Sequence, residues 1–96
     1  METTAPPTLE IIRDPELRSG APTLAGTRLA VHDIVSQVQR NDGDIQRVID
    51  DFPYLTVELV EAVLNWYRDH REEVDGILRR RRERYQRLLA KTRANR

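Results

Sequence analysis

The chain has 96 residues, enough for one domain with a modest core, and 33% of them are charged against 39% hydrophobic. The absence of cysteine excludes disulfides, thiolate metal sites and cysteine nucleophiles. Residues 1–70 hold six arginines against twelve acidic residues (−6), whereas residues 71–96 hold ten basic residues against four acidic ones (+6). No apolar run reaches the ~18 residues of a membrane span and the first residues lack a secretion signal, so we expect a cytoplasmic protein without membrane contact.

The first third of the chain predicts a short β element. Residues 1–8 contain two prolines and little that is apolar, so we expect a mobile extension there. Residues 9–13 predict a strand, and residues 22–25 and 28–31 predict two further extended pieces around a Gly-Thr dipeptide. Isolated two-stranded ribbons are marginal in water, so we expect these strands to pair with another chain or to pack on helices.

From Val31 onward the apolar residues recur at helical spacing and predict three helices. The first begins at Val31 and ends at an Asn-Asp-Gly turn, the second is capped by Asp44 and stopped by Pro53, and Thr56 suits the N-cap of the third. The apolar positions of the third helix, assigned to the core or to a dimer interface, are Val57, Val60, Leu64 and Tyr67. This is a helix-turn-helix-like layout, although three helices packed on a core without a DNA role fit the same spacing.

The C-terminal third continues the same spacing. Steps of three and four run unbroken from Val57 to Leu88 and include Arg71 and Arg81 among otherwise apolar or aromatic positions, which predicts the seam of a long helix that packs on a partner helix. Gly76 favours a bend or a break in it, and a solvated, partly disordered basic helix is the alternative. The sequence therefore predicts an α+β, mostly α fold: a short N-terminal β element, a three-helix helix-turn-helix-like body and a long C-terminal helix. We place the dimerising body at residues 9–74 and an arginine-rich tail at residues 75–96.

The run GAPTLAGTRLAV at residues 20–31 resembles the signature of a family catalogued as a domain of unknown function, number 433. Members of that family read G-x-P and, three residues on, G-T-R-[IL]-x-V. The Asp-Pro at residues 14–15, the FPYLT at 52–56, Tyr67 and the REEVD at 71–75 are similar to further parts of the pattern. The resemblance leaves the arginine-rich tail outside it.

Members of this family resemble VapB-type antitoxins, which are encoded beside a PIN-like ribonuclease toxin and dimerise through a helix-turn-helix body. The resemblance implies a type II antitoxin that binds its cognate toxin directly, forms a homodimer and can repress its own operon by binding operator DNA. We expect the homodimer to join through the N-terminal strands or the third helix. Two other functions stay open: a DNA-binding transcriptional repressor without a toxin partner, and a dimeric scaffold protein.

The arginines of the tail suit an acidic target. PIN-type nucleases resemble one another in a cluster of acidic side chains that holds divalent metal, and an inserted arginine would pair with those carboxylates. The candidate toxin-binding residues are Leu78, Arg79, Arg80, Arg81, Arg82, Arg84, Tyr85, Arg87 and Leu88, with the apolar members as anchors. Arg40 and Arg47 are the candidate DNA-binding residues, because Glu58 and Glu61 are acidic where a recognition helix would face phosphates.

The Gly-Thr-Arg of the signature is expected to be scaffold rather than a binding site. Gly20 and Gly26 suit turns with positive φ, and Thr27 suits a side-chain hydrogen bond within the turn. Arg28 is expected to form a structural ion pair rather than to bind phosphate. Its candidate partners are Asp14, Glu16 and Asp33.

The two histidines carry no catalytic pattern. His32 and His70 lie on different predicted helices, and no His-x-x-x-His, Ser-His or paired-carboxylate motif surrounds either of them. No glycine-rich phosphate loop precedes a helix. We therefore expect no enzymatic activity, no cofactor and no bound metal.

Overall fold

The computed structural model describes residues 9–94, in which two short strands precede four α-helices. The elements are β1 (Ile11–Ile12), β2 (Thr23–Leu24), α1 (Val31–Arg40), α2 (Ile45–Asp51), α3 (Val57–Asp69) and α4 (Arg71–Ala94). The predicted fold class is confirmed, since the fold is α+β and mostly α, with a short N-terminal β element and a long last helix. The extension predicted at residues 1–8 lies outside the described residues.

The β element is a ribbon that the chain forms with itself. β1 and β2 run antiparallel with Ile11 opposite Leu24, and a further bridge joins Thr23 to Ala30. Leu24 is buried in the same core as the helices. Packing on the helices therefore supports a ribbon that would be unstable alone, which is one of the two arrangements the sequence predicts.

The turn after β2 is held by the side chain of Thr27. Its hydroxyl donates a hydrogen bond to the Leu24 carbonyl at 2.8 Å and accepts one from the Leu29 amide at 3.0 Å. Gly26 has a φ of +79° and Gly20 a φ of +83°, conformations that side chains disfavour. The predicted roles of these residues in the scaffold are confirmed.

Local capping sets the boundaries of α2 and α3. The Asp44 carboxylate accepts a hydrogen bond from the Arg47 amide at 3.3 Å. Thr56 Oγ1 accepts one from the Leu59 amide at 3.1 Å. Both caps lie where the sequence predicts them, because each depends only on residues within the first turn of its helix.

The core is made of branched aliphatic side chains with α1 at its centre. The buried members are Leu24, Val31, Ile34, Val35, Val38, Val48, Leu55, Val60, Val63 and Val74. α1 contacts each of the other three helices. Because Val74 belongs to this core, the body of the protein includes the first turns of α4.

One prediction for the C-terminal third is wrong: the seam from Val57 to Leu88 does not lie on one helix. α3 ends at Asp69, and His70 takes the non-helical angles φ −127° and ψ 34° before α4 begins. The His70 ring stacks on Trp66 with centroids 3.7 Å apart, and its Nδ1 donates to the Trp66 carbonyl at 2.9 Å. These contacts close α3 although the apolar spacing continues across the break.

The buried face of α3 also differs in part from the prediction. Val60 is fully buried, and Leu64 and Tyr67 pack partly buried against the core, but Val57 is 38% exposed. Val63, which the predicted seam omits, is fully buried. The buried face is rotated from the seam because α3 packs on α1, α2 and α4 of its own chain.

α4 is continuous over 24 residues and extends beyond the body. Gly76 is buried and helical within it, so the helix does not break there. At 1.5 Å per residue the helix is about 36 Å long, which makes the molecule elongated, with extents of 62 × 29 × 23 Å. Among residues 9–94 no helix has both the length and the apolar character needed to cross a membrane.

Candidate functional site

The second half of α4 is the most exposed part of the described chain. Val74 is fully buried and Leu78 packs partly buried on the core, whereas every residue from Arg79 to the end of the helix is exposed except Leu89. We call residues 82–94 the distal segment of α4. It is about 20 Å long and holds five basic residues and one acidic residue.

The nine candidate toxin-binding residues do not form one surface. Leu78 faces the core, and Arg81 reaches back to the body. Tyr85 and Leu88 project from the distal segment with 61% and 55% of their surface exposed, which is unusual for large apolar side chains. The other five arginines are exposed and form no salt bridge within residues 9–94: Arg79, Arg80, Arg82, Arg84 and Arg87.

Asp33, on α1, contacts one arginine in the turn before β2 and another arginine on α4. Its carboxylate accepts a hydrogen bond from Arg18 Nη2 at 3.0 Å, forms a salt bridge with Arg18 Nη1 at 2.9 Å and lies 3.5 Å from Arg81 Nη1. Its Oδ2 also accepts from the Ala30 amide at 3.1 Å and so caps α1 from inside the helix. One carboxylate thus faces two guanidinium groups, which leaves a net positive charge at this point.

The ion pair predicted for Arg28 is wrong, because Arg18 takes that place. The side chain of Arg28 is exposed and forms no salt bridge with the part of the chain that the structure describes. Only its carbonyl oxygen takes part, accepting from Arg18 Nη1 at 3.5 Å. Both arginines are near Asp33 in the sequence. The turn at residues 18–20, in which Arg18 has a φ of +52°, brings the side chain of Arg18 to Asp33, and that of Arg28 points elsewhere.

His32 is buried beside this cluster, only 5% exposed. Its Nε2 lies 3.3 Å from Arg18 Nη2, so the ring accepts that hydrogen bond, and its Nδ1 has no partner within residues 9–94. Burial lowers the pKa of His32, Asp33 opposes the shift, and Arg18 and Arg81 add to it. The ring is therefore neutral near pH 7. No group of three or more His, Asp and Glu residues in the described chain is placed to hold a metal ion.

A groove between α1 and α4 brings Arg40 together with arginines of the tail. It has a volume of about 680 Å³ and is lined by Ser36, Gln39, Arg40, Leu78, Arg81, Arg82 and Tyr85. A hollow of about 200 Å³ adjoins it, shares Arg40 and Arg81 with it, and has Phe52 and Leu55 in its apolar wall. Arg47 is exposed on α2 and does not line this groove. The two candidate DNA-binding arginines therefore lie on different surfaces.

The exposed face of α3 is acidic at its N-terminal end. Glu58 and Glu61 are exposed, and so is Val57, which lies one turn before Glu61. Tyr54, in the turn before α3, is 63% exposed and contacts Phe52 edge-on with ring centroids 6.1 Å apart. A recognition helix would meet DNA through such a face, but two carboxylates at its leading edge repel phosphate.

Two polar contacts hold the start of α4 to the body. Arg13 donates two hydrogen bonds to Glu73, at 2.7 and 3.0 Å, and its guanidinium lies 5.5 Å from the centre of the Trp66 ring. The Tyr67 hydroxyl donates to Asp75 at 2.6 Å. The hydrogen bonds from Arg13 lower the pKa of Glu73, while burial and the Asp75 carboxylate raise the pKa of Tyr67. Tyr67, Glu73 and Asp75 therefore have structural roles.

The fold and its surfaces define a small, mostly helical α+β domain with an acidic body and a projecting basic helix. The family model described as Protein of unknown function (DUF433) matches residues 11–67, more than half of the chain. The chain therefore belongs to this family, as the motifs in its sequence predict. No significant match to a curated protein or to a solved structure was found. The arginine-rich part of α4 lies outside the family match.

Proposed function

We propose that this protein is the antitoxin of a type II toxin–antitoxin pair and that it neutralises a PIN-like ribonuclease by direct binding. The observation that supports the proposal is the distal segment of α4, an exposed basic helix on which Tyr85 and Leu88 project among arginines. The resemblance of the family to VapB-type antitoxins supplies the class of partner. Binding as a homodimer and repression of its own operon belong to the same proposal.

The chemistry of the distal segment matches an acidic nuclease site. Arginine forms bidentate hydrogen bonds to carboxylates, and these contacts strengthen when the surrounding water is removed. A cluster of carboxylates that normally holds divalent metal is therefore a target for Arg84 and Arg87. Tyr85 and Leu88 would pack against the apolar rim of that site, since aromatic residues are common anchors of interfaces.

The nine candidate residues do not contribute equally to the proposed contact with the toxin. Arg81 is held near Asp33, and Leu78 contributes to the core, so neither is free to enter a partner. Arg80, Arg84 and Arg87 recur at intervals of four and three residues and so share one exposed face of α4. That face carries the proposed contact.

Inhibition of the cognate ribonuclease by defined variants tests the proposal. We expect the double substitution Arg84→Glu and Arg87→Glu to reduce inhibition at least about a hundredfold, because each new carboxylate would face the acidic site. Arg84→Lys with Arg87→Lys should lose only part of it. Arg28→Glu is the matched control, since Arg28 is an exposed arginine without a salt bridge in the described chain. Full inhibition by the charge-reversed double variant contradicts the proposal.

Truncation tests the same helix, and the structure decides where to cut. A chain ending at Glu73 would lose the buried Val74 and so part of the core. A chain ending at Arg82 retains Val74, Leu78 and the contact of Arg81 with Asp33. We expect both this shorter chain and the full chain to melt cooperatively, and the shorter chain not to inhibit the ribonuclease.

A transcriptional repressor without a toxin partner is the second candidate function. The specific observation that favours it is the groove in which Arg40 meets Arg81 and Arg82, a concentration of positive charge outside α3. Mobility shifts with the chain's own upstream DNA at two salt concentrations test it, using Arg40→Ala, Arg47→Ala and the control Arg28→Ala. Loss of binding on Arg40→Ala with a steep salt dependence supports a repressor, and dependence on Asn65 alone would assign DNA contact to α3 instead.

A further inference from the structure

The large apolar side chains that are exposed among residues 9–94 fall into two pairs. Tyr54 and Val57 lie at the start of α3, 63% and 38% exposed, and Tyr85 and Leu88 lie on the distal segment of α4, 61% and 55% exposed. Exposed apolar pairs of this kind within charged surroundings are typical of interaction surfaces.

The first pair has acidic surroundings. Glu61 lies one helical turn after Val57, and Glu58 is next to it, so both carboxylates flank the apolar pair on the exposed face of α3. Neither carboxylate forms a salt bridge within the described residues. We call Tyr54, Val57, Glu58 and Glu61 the acidic α3 patch.

The second pair has basic surroundings. A shallow groove of about 610 Å³ runs along the distal segment and is lined by Arg84, Arg87, Leu88, Ala90, Lys91 and Ala94. Tyr85 lies one turn before Leu88 and extends its apolar surface. We call Arg84, Tyr85, Arg87, Leu88 and Lys91 the basic α4 patch.

The two patches do not satisfy each other within one molecule. Among residues 9–94 no hydrogen bond or salt bridge joins the basic α4 patch to the acidic α3 patch. Val74 and Leu78 pack α4 on the core, where Arg81 also reaches Asp33, and the distal segment continues past that point. Each patch therefore stays open in the isolated chain.

We propose that a second copy of this chain covers both patches, with the basic α4 patch of each copy on the acidic α3 patch of the other. Tyr85 and Leu88 would pack on Tyr54 and Val57, and arginines would face glutamates. The argument is the complementarity of the two patches in both apolar content and charge, which the charges of −6 and +6 on residues 1–70 and 71–96 extend to the whole chain. The reciprocal contact closes as a symmetric dimer.

Sedimentation equilibrium of the full chain without any partner tests this inference. We expect the wild type to sediment as a dimer of the 11.2 kDa chain. Glu58→Arg with Glu61→Arg, or Arg84→Glu with Arg87→Glu, should weaken association about a hundredfold by placing like charges together. The four substitutions combined restore opposite charges across the contact and should recover most of the association. Glu16→Arg with Arg28→Glu, exposed residues outside both patches, is the matched control and should leave the dimer intact.

A monomeric wild type overturns the inference, and so does a dimer that either charge-reversed pair leaves unchanged or that the four substitutions fail to recover. Circular dichroism of each variant checks that the fold survives, since all four positions are exposed. The inference concerns the isolated chain and does not rest on the antitoxin proposal, under which a bound ribonuclease would displace the second copy from the basic α4 patch. The fourfold variant, which carries all four substitutions, distinguishes the dimer inference from the antitoxin proposal, because it should associate with itself and yet fail to inhibit a ribonuclease.

Discussion

At the scale of single residues, His32 illustrates how burial sets the charge of a side chain and the pH range of stability. Its pKa is lowered in the folded protein, mainly by burial, whereas in the unfolded chain it is close to the ordinary value of about 6.5. As the pH falls below that value, the unfolded state binds a proton that the folded state resists. His32 therefore lowers the free energy of unfolding on acidification.

We expect the free energy of unfolding to fall between about pH 7 and pH 5 and His32→Gln to flatten that slope. Urea unfolding at several pH values measures this slope of the unfolding free energy against pH, and His70→Gln is the control. The lowered pKa of Glu73 acts in a different range: the stability that its contact with Arg13 provides is present above the unfolded pKa of about 4.3 and is lost at more acidic pH. An unchanged slope between pH 7 and 5 in His32→Gln would contradict the assignment.

Two glycines of the chain should respond in opposite ways to the same substitution. Gly26→Ala should cost about 1–2 kcal/mol, because alanine is strained at a φ of +79° even though no atom lies within 4 Å of the added carbon. Gly76→Ala should be neutral or stabilise the protein by up to about 1 kcal/mol, since Gly76 is helical and the nearest atom, Arg80 Nη1, is on a flexible side chain. Thermal melts of the two variants compare them directly. Equal effects would show that backbone conformation is not the cause.

At the scale of elements, the sequence predicts what short-range contacts determine. The caps at Asp44 and Thr56 and the start of α1 depend on residues a few positions away, so local patterns identify them. The break at His70 could not be predicted from periodicity, because the apolar spacing continues and the stacking of His70 on Trp66 ends the helix.

The candidate site likewise combines features that the sequence predicts with features that depend on the tertiary fold. The charge and apolar anchors of the tail are evident in the sequence, but the choice of Arg18 over Arg28 as the partner of Asp33 depends on a tertiary turn. The groove that joins Arg40 to Arg81 and Arg82 depends on how α4 crosses α1. Pairings between distant elements of this kind leave no periodic signal in the chain.

The orientation of α3 can be tested by placing a carboxylate on each side of it. Val60→Asp should destabilise the fold by about 3–5 kcal/mol, because it buries an unpaired charge in a fully enclosed position. Leu64→Asp, at a partly buried position, should cost less, and Val57→Asp should cost the fold of the single chain least, because Val57 is 38% exposed there and its proposed contact is with the second copy. Thermal melts followed by circular dichroism rank the three variants by their loss of stability. A Val60→Asp variant that melts like the wild type would show that the assigned face is wrong.

At the scale of the whole molecule, the acidic and the basic residues lie on different parts of the structure. The acidic residues lie mostly on the packed body, and the basic ones lie mostly on a helix that leaves it. Side chains of the distal segment add nothing to the buried core, so we expect substitutions there to leave the fold intact.

Titration of the cognate ribonuclease with the fourfold variant, in which Glu58 and Glu61 are arginine and Arg84 and Arg87 are glutamate, tests the central claim most directly. This variant is expected to keep the fold and to associate with itself, so loss of inhibition cannot be attributed to unfolding or to loss of self-association. We expect wild-type protein to abolish ribonuclease activity at stoichiometric amounts and the fourfold variant to leave it intact. Inhibition by the fourfold variant equal to that of the wild type would contradict the claim and assign toxin binding to the body.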